Sequence, residues 1–260
     1  MKFKLIALFL ILSFSINGQN LAACNKKLKE TFSKFEYYGS SENEHAYDSI
    51  QKYNISFENL LLKYTSSIPE TLTFDFKDLT QSGLKISTSE NSLFRIYSWD
   101  TETGGSMRSF RNVFQFNSVK KLFSLKTPND LDESGESSYT YEIIDQINSE
   151  NKMFYVVKCI AIGSSAVSSH KIKIFSIQNG LLDDKAKLIK TKSGIRNELR
   201  YEIDFSSSAN QTPDAVDREY SRISYDKNNK IIMLPLILED GKLTKKKIKY
   251  QFNGIYFEKI

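Results

Sequence analysis

Apolar and polar positions change rhythm twice along the chain. Residues 5–15 form an almost unbroken apolar run behind Lys2 and Lys4. The run is too short for a membrane span, which needs roughly twenty apolar residues. With its basic start and the Ile16-Asn17-Gly18 segment behind it, it reads as an export signal cleaved before Gln19. Residues 1–18 are therefore expected to be a leader and residues 19–69 a helical unit. In that unit Leu21, Cys24, Leu28, Phe32 and Phe35 fall on one helical stripe ending near Gly39. Ser41 and Glu44 have the spacing of a capping box, in which each side chain satisfies a backbone donor at a helix start. Tyr47, Ile50, Phe57, Leu61 and Tyr64 follow at helical spacing. Asn54 and Ser56 are points where this helix would divide, and Pro69 closes the helical part.

From about Thr71 the helical period gives way to strand alternation. Leu72, Phe74 and Phe76 alternate with polar residues, so a strand is expected there, with a short helix as the other reading. Segments 93–99 and 107–116 flank a turn at 100–105. Segments 139–147 and 153–162 pair around 148–151, and 171–177 ends at Asn179-Gly180. Leu199, Tyr201, Ile203 and Phe205 alternate with Arg200, Glu202 and Asp204, as in a half-buried strand. Segments 220–225, 231–238, 243–250 and 255–260 complete the chain. They are separated by turns that include Asp240-Gly241 and Asn253-Gly254, residues that accept the positive φ of tight hairpins. Pro235 lies inside one of these strands and requires an edge position or a bulge. Short connections favour antiparallel neighbours. The predicted fold class is α+β: N-terminal helices packed on a long antiparallel meander over residues 70–260, arranged like a sandwich or a propeller and forming one globular domain with the helices. Two stretches, 127–138 and 206–217, lack any pattern.

Composition narrows the picture only slightly. A chain with 40% hydrophobic and 26% charged residues is not wholly disordered. Loss of Lys2 and Lys4 with the leader lowers the net charge from +5 to +3, too little for a nucleic-acid footprint. The densest basic run, Lys245-Lys246-Lys247 beside Lys242 and Lys249, reads as the wet side of a strand or as a patch for an anionic surface. Cys24 and Cys159 form one disulfide if the fold brings them together. Leu21-Ala22-Ala23-Cys24 also matches a lipobox, which would make Cys24 an acylated N-terminus and the protein a membrane-anchored lipoprotein. The polar segment 17–20 and the helical stripe favour a soluble exported protein instead.

Three groups of residues suggest chemistry. Asp130, Asp132, Ser134 and Gly135 resemble the first half of a calcium loop, whose alternate oxygens turn inward. The twelfth position is Tyr141, and Glu142 comes one place late, so an acidic solvated loop is the competing reading. Trp99, the only tryptophan, stands beside Asp100, Glu102 and Arg108. A tryptophan near two acids stacks a sugar and cleaves it if the carboxylates are suitably spaced, and packs a hairpin otherwise. His170 follows the small-residue run Gly163-Ser164-Ser165-Ala166, which is not a nucleophile elbow. His45 and His170 are both expected at the surface or in loops.

The segment Phe94-Arg95-Ile96-Tyr97-Ser98-Trp99-Asp100-Thr101, with Thr103-Gly104-Gly105, and the ending Tyr250-Gln251-Phe252-Asn253-Gly254-Ile255-Tyr256-Phe257 resemble exported, uncharacterised bacterial proteins. The resemblance implies export and no particular activity. The expected function is that of an exported, non-enzymatic envelope protein, periplasmic or secreted, that binds a protein or glycan through loops of its β region. The alternative is a glycan-directed envelope hydrolase using Asp100 and Glu102. No nucleic-acid partner and no transmembrane segment are expected, and no cofactor other than calcium.

Overall fold

The computed structural model describes residues 2–40, 46–119, 121–127, 139–212 and 215–260, with the backbone alone described over residues 2–20. The Ser41–Glu44 capping box, His45 and the calcium candidates Asp130, Asp132 and Ser134 lie outside the described residues.

A single helix, α1 (Lys2–Gly39), is followed by α2 (Ala46–Ser67). The stripe read from the sequence is the buried one: Leu21, Cys24, Leu28, Phe32 and Phe35 all face the protein interior. The expected break at Asn54 does not occur. The Asn54 amide donates to Ile50 O at 3.0 Å and to Thr101 O at 2.9 Å, and Ser56 Oγ donates to Lys52 O at 2.9 Å. These side chains bond the preceding turn and the sheet rather than drawing the backbone out of the helix. The strand expected around 72–76 is absent as well. A 3-10 turn (Pro69–Leu72) leads into α3 (Lys77–Gln81), so helical structure resumes beyond Pro69. Phe74 and Phe76 meet edge to face at 4.9 Å, and Phe76 and Leu79 enter the helical core.

Fifteen strands follow among the described residues: β1 (Lys85–Thr88), β2 (Phe94–Asp100), β3 (Phe110–Ser118), β4 (Lys121–Lys126), β5 (Tyr139–Ser149), β6 (Lys152–Ile162), β7 (Val167–Gln178), β8 (Leu181–Asp183), β9 (Ile189–Thr191), β10 (Gly194–Arg196), β11 (Glu198–Asp204), β12 (Ser224–Asp226), β13 (Ile231–Ile237), β14 (Leu243–Phe252) and β15 (Phe257–Lys259). They form three sheets, ordered β1-β2-β3-β4, β11-β7-β6-β5 with β8 beside β7, and β10-β9-β15-β14-β13-β12. All pairings are antiparallel except one. β15 runs parallel to β9, which joins β9 and β10 to the third sheet through a long connection that the hairpin reading did not foresee. The segment expected as a strand from Tyr220 begins instead with a 3-10 turn (Arg218–Ser221). Pro235 is accommodated as anticipated: the β13–β14 register shifts between Pro235 and Ile237, and β12 has already ended opposite Met233.

The protein is a stack of four layers. The helices pack on the first sheet through Leu28, Phe57, Leu61, Tyr97 and Trp99. The first sheet packs on the second through Phe94, Phe114, Tyr155, Val157 and Phe175. The second packs on the third through Val156, Ile172, Ile174, Ile232 and Phe257. Burial on both faces turns the alternation of the middle strands into near-continuous apolar runs. A bulge between Ile143 and Asp145 resets β5, so that Tyr139 and Tyr141 face the first sheet whereas Ile147 faces the third.

Glu58 fixes α2 to the first sheet. Its nearly buried carboxylate lies 2.8 Å from Arg111 Nη1 and 3.0 Å from Lys126 Nζ. Removing one partner of a buried pair strands the others. Both cations retain some solvent, so Glu58→Gln is expected to cost about 2 kcal/mol, below the range for fully buried pairs. Chemical denaturation checks this, and an unchanged midpoint would show that the pairs contribute nothing.

Candidate functional site

The structure gives the Trp99 turn a structural role. Trp99 is 1% exposed, and its indole Nε1 donates to Asn54 Oδ1 at 2.9 Å. Its ring meets Phe57 edge to face at 5.0 Å. The indole therefore points into the helical core and presents no face for a sugar. Asp100 and Glu102 share one cation: Arg108 Nη1 lies 3.1 Å from Asp100 Oδ2 and 3.3 Å from Glu102 Oε2. Asp100 Oδ1 also accepts from the Glu102 amide at 2.9 Å. These contacts hold the turn, with Glu102 at a φ of 57°. Gly104 is required there because a Cβ would lie 1.9 Å from Met107 O. The group caps a hairpin.

His170 is buried on β7, contrary to the surface position expected for it. Its Nε2 and Ser168 Oγ are 2.9 Å apart, and its ring stacks on Tyr201 with centroids at 5.1 Å. Burial, with Lys158 and Arg222 nearby, pushes its pKa down to about 4. A histidine held neutral by burial and two nearby cations, whose ring partners among the described residues are Ser168 and Tyr201, does not have the acid-oriented arrangement of a hydrolytic triad. The cysteines are not joined in a disulfide: Cys24 is buried on α1, whereas Cys159 is buried on β6 within the core between the first and second sheets. Burial raises the Cys24 thiol pKa, an effect Lys63 partly opposes. Cys159 stands directly across from Lys171, whose buried ammonium lies over the Tyr139 ring at 3.9 Å from its centroid. Among the described residues no cluster of His, Cys, Asp and Glu suits a metal ion.

One arrangement able to hold a ligand among the described residues was not apparent in the sequence. An open groove of about 410 Å³ lies between α3 and β1 on one side and β5 and β6 on the other. Its apolar lining comes from Leu84, Ile86, Tyr141 and Ile160. Its polar groups come from Thr80, Lys85, Ser87, Thr140, Glu142 and Lys158. A mostly apolar concavity with a few convergent polar groups is the usual form of a small-molecule site. Lys158 Nζ and Glu142 Oε2 pair at 2.6 Å across β5 and β6. Two serines of the first sheet close the neighbouring edge of β5: Ser87 Oγ accepts from Ile143 N at 2.8 Å, and Ser98 Oγ accepts from Tyr141 N at 3.3 Å. The edge amides that would recruit a foreign strand are thus occupied, which leaves the groove to side-chain recognition. Its polar residues come from segments far apart in the chain and form no motif. The one local signal was the placement of polar residues between apolar ones in β1 and β5.

No protein-family model, curated protein or solved structure matches the chain. No helix among the described residues is long and apolar enough to cross a membrane.

Proposed function

We propose that the chain is an exported, non-enzymatic protein of a bacterial envelope that binds a small polar ligand, such as a glycan fragment, through its β region. The observation that carries this reading is the groove beside β5, where three hydroxyls, the Lys85 ammonium and the Lys158–Glu142 pair surround an apolar floor. The engagement of Trp99, Asp100 and Glu102 in the scaffold supports binding over glycan hydrolysis. The apolar leader supports export, to the periplasm or beyond. For the N-terminus we favour cleavage before Gln19 over acylation at Cys24. Leu21 and Cys24 are 8% and 5% exposed, and lipid processing would remove the first and displace the second from its packed position.

A panel of soluble glycan fragments and short peptides, screened by ligand-detected NMR, tests the proposal. At least one class is expected to bind, and Ile160→Trp, which fills the groove from a half-buried position, is expected to weaken that binding at least tenfold while leaving the melting temperature nearly unchanged. If the binder is held equally well by the filled variant, the groove is not the site.

A further inference from the structure

We propose that the outer face of the third sheet is a docking surface for anionic lipid headgroups. Residues 221–260, which supply most of that sheet, contain nine Lys and Arg against four Asp and Glu, an excess equal to the net charge of the whole chain. Strand alternation then sorts these charges. Ile232, Leu234 and Phe257 point inward to the core. Register places Lys249 beside Met233 and Lys247 beside Pro235 on the opposite face. Lys247 and Lys249 therefore project from one side of β14 about 6.8 Å apart, and exposed Lys245 follows them within the irregular stretch of the β13–β14 pairing. Lys190 of β9 joins them on that face, paired with Glu258 at 2.5 Å.

The lysines do not have the same role. Lys247 Nζ donates to Tyr220 O at 2.9 Å and Arg222 O at 2.6 Å, so it ties the 3-10 turn before β12 to the sheet. Lys245 and Lys249 are exposed, with no salt bridge of their own among the described residues. Half-buried Ile231 and Met233 lie between them and the sheet edge. Cations spread across an open strand face, with apolar side chains interspersed, suit a planar layer of phosphates better than one enclosed anion. The lysine stems lie along the apolar surface while the ammoniums reach outward. This surface is separate from the groove and does not depend on that reading.

Co-sedimentation of the full chain with phosphatidylcholine vesicles, and with vesicles also containing phosphatidylglycerol, tests the proposal. Partition through the apolar leader is common to both vesicle types and to every variant, so the differences are informative. Binding is expected to be stronger on the anionic vesicles and to fall with added salt, because the screening length shrinks from about 8 Å at physiological ionic strength to about 3 Å at 1 M. Each lysine near an anionic surface is expected to contribute roughly fivefold. The double variant Lys245→Gln/Lys249→Gln should therefore lose about thirtyfold. It spares Lys247, whose bonds are structural. A control, Lys52→Gln/Lys77→Gln, alters exposed lysines on the helical side and should bind like the wild type. Equal partition onto both vesicle types, a control that loses as much as the sheet variant, or binding to soluble polyphosphate without any preference for anionic vesicles would each overturn the assignment.

Discussion

Trp99→Ala is expected to lower the folding free energy by about 4 kcal/mol, as is usual when a large buried aromatic is truncated. The indole fills the junction of α2 with the first sheet against Phe57, and its loss leaves Asn54 Oδ1 without its donor inside the helical core. Trp99→Phe separates the two contributions. It retains most of the apolar volume but still orphans the Asn54 carbonyl, at a cost of about 1–3 kcal/mol. The double variant Trp99→Phe/Asn54→Leu should then lose less than the two single changes added together, because neither member of the indole–carboxamide bond remains unsatisfied, and the loss of the Asn54 donation to Thr101 O is common to the double variant and to Asn54→Leu. Urea denaturation monitored by far-ultraviolet circular dichroism measures all of these. Near-native stability of Trp99→Ala would show that the indole is not a core element and would return it to the list of ligand platforms.

Acid is expected to destabilise the protein through His170. In the unfolded chain the imidazole titrates near 6.5, whereas in the fold its pKa is pushed down to about 4. As pH falls between these values the unfolded state takes up a proton that the folded state refuses. The stability contributed by neutral His170 is thus fully present above pH 6.5, declines through the window and levels off below pH 4. The slope is about 1.4 kcal/mol per pH unit, for a total of about 3 kcal/mol. Burial of the ring accounts for most of the direction, Lys158 and Arg222 further disfavour a positive charge, and Tyr201 and Ser168 pack around a neutral ring. His170→Phe preserves the stacking and removes the titration. The stability difference between wild type and His170→Phe should therefore vary with pH across the window. A constant difference would place the imidazole in a solvated, unperturbed setting.

Much of the local structure was legible. The stripe from Leu21 to Phe35 predicted the buried face of α1, because one helical turn brings apolar side chains three and four residues apart onto the same side. The hairpins around Asn179-Gly180, Asp240-Gly241 and Asn253-Gly254 were legible for a similar reason: few residues accept the φ values of 80°, 84° and 103° found at these glycines. Two local readings failed where tertiary contacts prevailed. Asn54 looked like a helix breaker but bonds both its own helix and the sheet. Residues 72–76 alternated like a strand, yet their aromatics turn into the helical core.

The candidate site was far less legible. Trp99, Asp100 and Glu102 drew attention because they are adjacent in sequence, but adjacency does not indicate which way an indole points. The groove draws on α3, β1, β5 and β6, whose proximity arises only from stacking the first sheet on the second.

By itself the sequence determined the helix-then-strand order, most turns, the apolar sides of the elements and the uneven distribution of charge. Each of these depends on neighbours within a few positions, where backbone sterics and periodicity act. Only the tertiary structure decided that three sheets stack beneath the helices, that β15 runs parallel to β9 and that Glu58 meets a lysine sixty-eight residues away. Such contacts are selected by shape, by desolvation and by the pairing of buried polar groups across the whole fold, and no local pattern encodes them.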